Sequence, residues 1–217
     1  MEIIKDNAKE AWIEALKRIS KQGMAVENDG QETKEILNLM ITIRDPSEGI
    51  TRPIEVLRGF KEWSYPELDE LEDVISRKDA STTYQYTYGA RIFNVAGSKD
   101  QVEEYIIPLL QKNPNTRRAL IVLYHPLIDS KLSNKESPCL ISMHFKIMEG
   151  KLTLTAILRS NEMFIGWPAN IYQLSLIQKQ VARSLGADVG SLTTISHSGH
   201  VYKEFDEEIS EVVKNNP

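Results

Sequence analysis

The chain has 217 residues, 41% hydrophobic and 26% charged, with a formal net charge of −5, which fits one domain (1–217) with a sizeable core. The negative balance excludes a global basic field for nucleic acid or anionic lipid, so any anion site is local and built from a few arginines. No run approaches about 18 apolar residues, the N-terminus "MEIIKDNAKEAW" has no secretory apolar region, and the one cysteine excludes an internal disulfide; together these point to the cytoplasm and no membrane.

"NAKEAWIEALKRISKQG" places Ala8, Trp12, Ala15, Leu16 and Ile19 on one helical face and ends at Gly23. "EILNLMITI" (35–43) reads as a buried strand. Residues 44–82 are rich in charge and proline, with a short helix at "DELEDVIS" (69–76). "SKDQ" (98–101) has the capping-box pattern, with Ser98 and Gln101 opening a helix whose stripe is Val102, Tyr105, Ile106, Leu109 and Leu110. Pro108 should kink that helix. "RALIVLYH" (118–125) is strand-like.

The segment "CLISMHFKIMEGKLTLTAILRS" alternates apolar and polar residues on both sides of Glu149-Gly150. A two-residue turn there pairs Ile147 with Leu152, Phe145 with Leu154, Met143 with Ala156 and Ile141 with Leu158, all apolar on one face. A slip of one residue would pair apolar with polar throughout, so the register is strongly preferred. The same register sets Cys139 opposite Ser160 and Leu140 opposite Arg159. A nearby cation lowers a thiol pKa from about 8.5 and raises the thiolate fraction. Ile171, Leu174, Ile177, Val181 and Leu185 then give a long helix closed by Gly186. "LTTISHSGHVY" (192–202) is a final strand, and "KEFDEEISEVVKNNP" an acidic, peripheral tail.

Several of these stretches occur in the order and spacing of one family. "TRRALIV" (116–122), "PC" (138–139), "LRSNEMFIGWPANI" (158–171) and "HSGHVY" (197–202), with "YTYGARI" (86–92) and "ETKEILNLMITI" (32–43) more loosely, resemble thymidylate synthase and its pyrimidine hydroxymethylase relatives. The chain looks most like the compact archaeal-type branch. The resemblance implies an α/β (α+β) fold, with a large mixed β-sheet flanked by helices and one sheet face forming a homodimer interface. It implies reductive methylation of a dUMP-like nucleotide to dTMP. The one-carbon and hydride donor would be 5,10-methylenetetrahydrofolate or a methanopterin analogue, with no metal.

By the same resemblance Cys139 is the nucleophile that adds to C6 of the pyrimidine. Arg159 and Ser160 hold the nucleotide phosphate, and Arg117 and Arg118 reach it from the other subunit; guanidiniums suit a dianion because each offers paired donors. Asn170 reads the O4/N3 edge, His200 and Tyr202 bind the sugar 3′-hydroxyl, Glu162 faces the pterin, and Tyr88 lies close to the nucleophile. Glu70, with Glu67 and Glu72 behind it, is the candidate for proton handling around O4. An amide at position 170 favours uracil, whereas cytosine-using relatives tend to carry aspartate there. His125, His144 and His197 read as ordinary structural residues, and nothing suggests a metal site.

The chain departs from the bacterial pattern at four points. Leu140 follows the cysteine where a histidine is usual. The paired tryptophans upstream of the Tyr-Gly are not evident, "NDGQETK" carries no arginine, and the chain ends "VVKNNP" rather than in a short apolar segment. The resemblance leaves open a hydroxymethylase, in which water replaces hydride in the last step, and a nucleotide-binding homologue without catalysis.

Overall fold

The computed structural model describes residues 1–60, 64–79, 87–133 and 137–216. In chain order they form β1 (Glu2–Lys5), α1 (Ala8–Gln22), β2 (Met24–Asn28), β3 (Gln31–Ile43), α2 (Arg52–Leu57), α3 (Leu68–Ser76) and α4 (Tyr88–Phe93). There follow α5 (Ile107–Lys112), β4 (Leu120–Val122), α6 (Pro126–Asp129), β5 (Leu140–Met148), β6 (Lys151–Glu162), α7 (Gly166–Leu185), β7 (Asp188–Tyr202) and α8 (Asp206–Lys214). The strands make a seven-stranded sheet in the order β1-β3-β7-β6-β5-β4, with β2 also paired to β3. It is a mixed sheet: β1 is parallel to β3, while β2/β3, β3/β7 and β4/β5 are antiparallel. This is the α/β architecture, a large mixed sheet flanked by helices, that the sequence led us to expect. The chain divides into two compact units, one of Met1–Tyr65, Leu158–Ser175 and Ser191 onward, the other of Pro66–Ile157 and Leu176–Gly190.

In the first unit, α1 starts at Asn7, whose side-chain oxygen accepts the Glu10 N–H at 3.0 Å, and it stops at Gly23 as expected. All five predicted face residues are fully buried, joined by Ala11 and Ile13, and each large apolar side chain there contributes about 1.5–3 kcal/mol. The β2–β3 hairpin was not anticipated. Its signal is Asp29-Gly30, both at positive φ (52° and 82°), as a type I′ turn requires. β3 is longer than read and buried on one face only, since Leu37 is 54% exposed. Asn38, at φ 53°, reverses the alternation, so Ile36 and Leu39 both point inward; asparagine tolerates that left-handed conformation better than most residues. The acidic tail is not peripheral. It forms α8, which buries Ile209 and Val212, and Lys17 Nζ donates to Asn216 O at 2.9 Å.

In the second unit, Glu149 (φ 52°) and Gly150 (φ 78°) form the predicted two-residue turn. Met143, Phe145, Leu152, Leu154 and Ala156 are buried, while Ile141 and Ile147 are half-buried. The helix expected after residue 98 begins instead at Asp100, whose carboxylate accepts the N–H groups of Val102 and Glu103 at 3.0 and 2.9 Å. Ser98 is left in the preceding turn, and Gln101 donates to Arg91 O. Pro108 is accommodated by a widened π turn, Val102–Ile106, before α5; a proline lacks an N–H and crowds the preceding turn, and the wider turn relieves both. The strand read over 118–125 shrinks to Leu120–Val122. At the end of α7, Gly186 (φ 62°) and Ala187 donate to Arg183 O and Ala182 O, the glycine-dependent stop expected there.

Candidate active site

The second unit holds the thiol. Cys139 is half-buried, one residue before β5. The backbone N–H of Leu140 donates to Tyr88 Oη at 3.4 Å, which brings together the cysteine's neighbour and the tyrosine singled out from sequence. Tyr88 opens α4, capped by Thr87 Oγ1, which accepts the Ala90 N–H at 3.1 Å. Gly89 fixes this placement, because a Cβ there would collide with the Arg77 backbone. Leu140, where the bacterial pattern has a histidine, is buried. Tyr86 lies outside the described residues.

Arg117 and Arg118 are exposed on a loop rather than in a strand. Four successive carbonyls of that loop meet side chains. Lys146 Nζ donates to Asn115 O (2.7 Å) and Thr116 O (3.3 Å), His144 Nε2 lies 3.4 Å from Arg117 O, and Tyr105 Oη donates to Arg118 O at 2.8 Å. The guanidiniums thus extend from a backbone held in place by β5 and the π turn. Glu70 is exposed, and its carboxylate accepts the Glu67 N–H at 2.8 Å at the start of its own helix. Proton handling by Glu70 would require that cap to open.

The first unit holds the other candidates. Arg159 is exposed and Ser160 half-buried near the end of β6. The loop that follows is pinned at nearly every backbone group. Glu162 accepts the N–H groups of Phe164 (2.8 Å), Ile165 (2.7 Å) and Gly166 (2.9 Å). Trp12 Nε1 donates to Met163 O and Phe164 O, Tyr65 Oη donates to Ile165 O, and Met163 N–H donates to His200 O. Burial pushes the Glu162 carboxyl above its usual value, against the three N–H bonds that favour its charge. Burial, and next the charge of Glu162, push the Tyr65 phenol up as well.

β7 supports this loop with side chains two apart, as strand periodicity allows. Thr194 Oγ1 accepts Trp167 Nε1–H at 3.0 Å, and Ser196 Oγ accepts Asn161 Nδ2–H at 3.0 Å. Asn161 Oδ1 in turn accepts from Asn170 Nδ2 at 3.0 Å. His200 and Tyr202 stack edge to face, with centroids 5.4 Å apart. Burial holds the His200 imidazole below its ordinary value, opposed by the Ser198 backbone and the charge of Glu35 opposite it on β3.

A family profile described as thymidylate synthase matches residues 48–217. The chain belongs to the thymidylate synthase family. It is 34% identical over 206 residues to a protein of Methanosarcina barkeri named "Putative thymidylate synthase", covering 94% of this chain and 91% of that one. A protein of the same name from Methanothermobacter marburgensis is 32% identical over 225 residues, covering 99% and 98%. The "Deoxyuridylate hydroxymethyltransferase" of Bacillus phage SP01 is 28% identical over 216 residues, covering 88% of this chain and 56% of that protein. The thymidylate synthase family is one of one-carbon transferases that bind dUMP and use a folate-type donor.

A carboxylate has about four lone-pair sites, and three N–H groups already occupy Glu162. One site remains open. Among the described residues no group of three or more acidic, histidine or cysteine side chains could hold a metal ion, and no helix is long and apolar enough to cross a membrane. Sequence reasoning named the residues of the family motifs but missed their supports: Asn161, Ser196, Thr194, Tyr65 and Lys146. Asn161 lay in plain view within "LRSNEMF", and the others carried no local signal.

Proposed function

We propose that this chain is a single catalytic domain, a thymidylate synthase that methylates dUMP at C5. The observation that carries the reading is Cys139, half-buried before β5 with Tyr88 bonded to its neighbour, in a chain of this family. Its thiolate adds to C6, and the C5–C6 π pair moves toward O4, leaving C5 electron-rich. Arg159, Ser160 and, from the partner, Arg117 and Arg118 bind the phosphate. Asn170 reads O4 and N3–H, and His200 and Tyr202 take the 3′-hydroxyl. When bound, the reduced pterin (methylenetetrahydrofolate or a methanopterin analogue) supplies the one-carbon unit and the hydride, with Glu162 accepting one pterin N–H. Loss of the C5 proton and expulsion of the Cys139 thiolate complete the substitution.

A homodimer is part of the proposal. Exposed Ile4, Met24 and Leu37 in the first unit, and Leu120, Val122 and Met148 in the second, supply apolar surface for it. Sedimentation should give twice the chain mass.

The phage relative's name supports a second reading, 5-hydroxymethylation, in which water takes the place of hydride. Mass analysis of the product from dUMP and methylenetetrahydrofolate separates the two. A methylated product is expected, and a hydroxymethylated one would overturn the first reading in favour of the second.

A further inference from the structure

We infer that Asn161 is a positioning residue that fixes the orientation of the Asn170 amide, and thereby the preference for a uracil over a cytosine nucleotide. The inference rests on the proposed role of Asn170 as the base reader. An amide offers a donor and an acceptor, and exchanging them costs little unless its partners forbid it. In one orientation Asn170 gives N–H to O4 and accepts from N3–H, which is uracil's pattern. Turned over, it gives N–H to N3 and accepts from the 4-amino group, which is cytosine's. Aspartate cannot serve uracil in this way, but asparagine can serve either base. With asparagine, selectivity is therefore a matter of orientation alone.

The structure supplies a group that chooses. Asn170 Nδ2 donates to Asn161 Oδ1 at 3.0 Å, and Asn161 Nδ2 donates to Ser196 Oγ at 3.0 Å. Asn161 is 2% exposed and Ser196 0%, so water does not compete for the bond between them, while Asn170 is half-buried. One Nδ2 proton of Asn170 is committed, and among the described residues its Oδ1 has no partner. One N–H and the carbonyl oxygen are thus left for a ligand, in the uracil orientation. Turning Asn170 over alone would set two carbonyl oxygens against each other at a buried position, and a buried acceptor without a donor costs about 1–3 kcal/mol. Turning Asn161 as well requires the Ser196 hydroxyl to donate instead of accept, so the relay moves as a unit.

The test is the ratio of dUMP to dCMP affinity, measured by titration calorimetry without a pterin, for the wild type, Asn161→Leu and Asn161→Asp. The wild type should prefer dUMP. Asn161→Leu, which can neither accept nor donate, should lower that preference by about tenfold or more, a loss that corresponds to about 1.4 kcal/mol, and dUMP binding should carry the loss. Asn161→Asp can only accept, so it holds Asn170 in the uracil orientation and should keep the preference within about threefold. An unchanged ratio in folded Asn161→Leu, equal weakening toward both nucleotides, or a lost preference in Asn161→Asp would each overturn the inference. If Asn161→Leu does not fold, the Asn161→Asp ratio decides. A wild type that binds both nucleotides equally, or neither, would instead overturn the role given to Asn170, and the inference with it.

Discussion

The carboxylate of Glu162 accepts the backbone N–H of Gly166, the first residue of α7, at 2.9 Å, while the N–H groups of Phe164 and Ile165 complete its shell. One side chain therefore caps the helix that carries Asn170 and is also the proposed pterin contact. Burial raises its folded pKa above the ordinary 4.5. The folded chain holds this proton more tightly than the unfolded chain. The resulting stability is complete below about pH 4 and is lost as pH rises through the raised value. Glu162→Gln cannot titrate, and it also weakens the cap by about 0.5–2 kcal/mol at every pH. In urea unfolding from about pH 4 to 8, wild-type stability minus variant stability should shrink with rising pH and then level off. A difference that grows with pH would contradict this assignment.

Gly89 is the second structural test. A Cβ at this position would overlap the Arg77 backbone, which cannot withdraw as a flexible side chain can. Gly89→Ala should cost about 1–3 kcal/mol of stability, as overpacking does. It should also shift Tyr88 away from Leu140 N–H and lower turnover. A variant with wild-type stability would show that α4 does not need its close approach.

Legibility followed the range of the interactions. The α1 face, the Glu149-Gly150 turn and the Gly186 stop were readable because each is set by residues within a few positions of one another. The hairpin at Asp29-Gly30 had the same kind of signal and was overlooked. The tail was misjudged because its acidic residues outnumber Ile209 and Val212, although those two decide its packing. Ser98 looked like a cap, yet Asp100 accepts two N–H groups and a hydroxyl two positions earlier could not compete. At the candidate site, order and spacing pointed to the family and named the motif residues that the proposal uses. The bond from Ser196 to Asn161 spans 35 positions, and nothing in the local sequence announces it.

Lys146 tests whether the Arg117-Arg118 loop is held for a purpose. Lys146→Met keeps the length of the side chain and removes its bonds to Asn115 O and Thr116 O. A lost charge-assisted bond is worth about 1.5–3 kcal/mol. Part of that loss should appear as about a three- to tenfold rise in KM for the nucleotide, with kcat changed less than twofold, because the loop carries the proposed phosphate contacts, Arg117 and Arg118, and not the thiol. A fall in kcat with KM unchanged would contradict this role.

Cys139→Ser separates chemistry from binding. An alkoxide is not available near neutral pH as a thiolate is, so turnover should fall by about 10³-fold or more while dUMP affinity stays within about threefold. Retained turnover in this variant would sink the nucleophile assignment.

The most direct measurement of the central claim is release of tritium from C5-labelled dUMP in the presence of a reduced methylene pterin, with dCMP, UMP and CMP as comparators. Methylation through C6 addition must expel the C5 hydrogen, so tritium should leave dUMP in step with formation of a methylated product, and much more slowly from dCMP. If no nucleotide loses tritium with either methylenetetrahydrofolate or its methanopterin counterpart, the chain is not the enzyme proposed here.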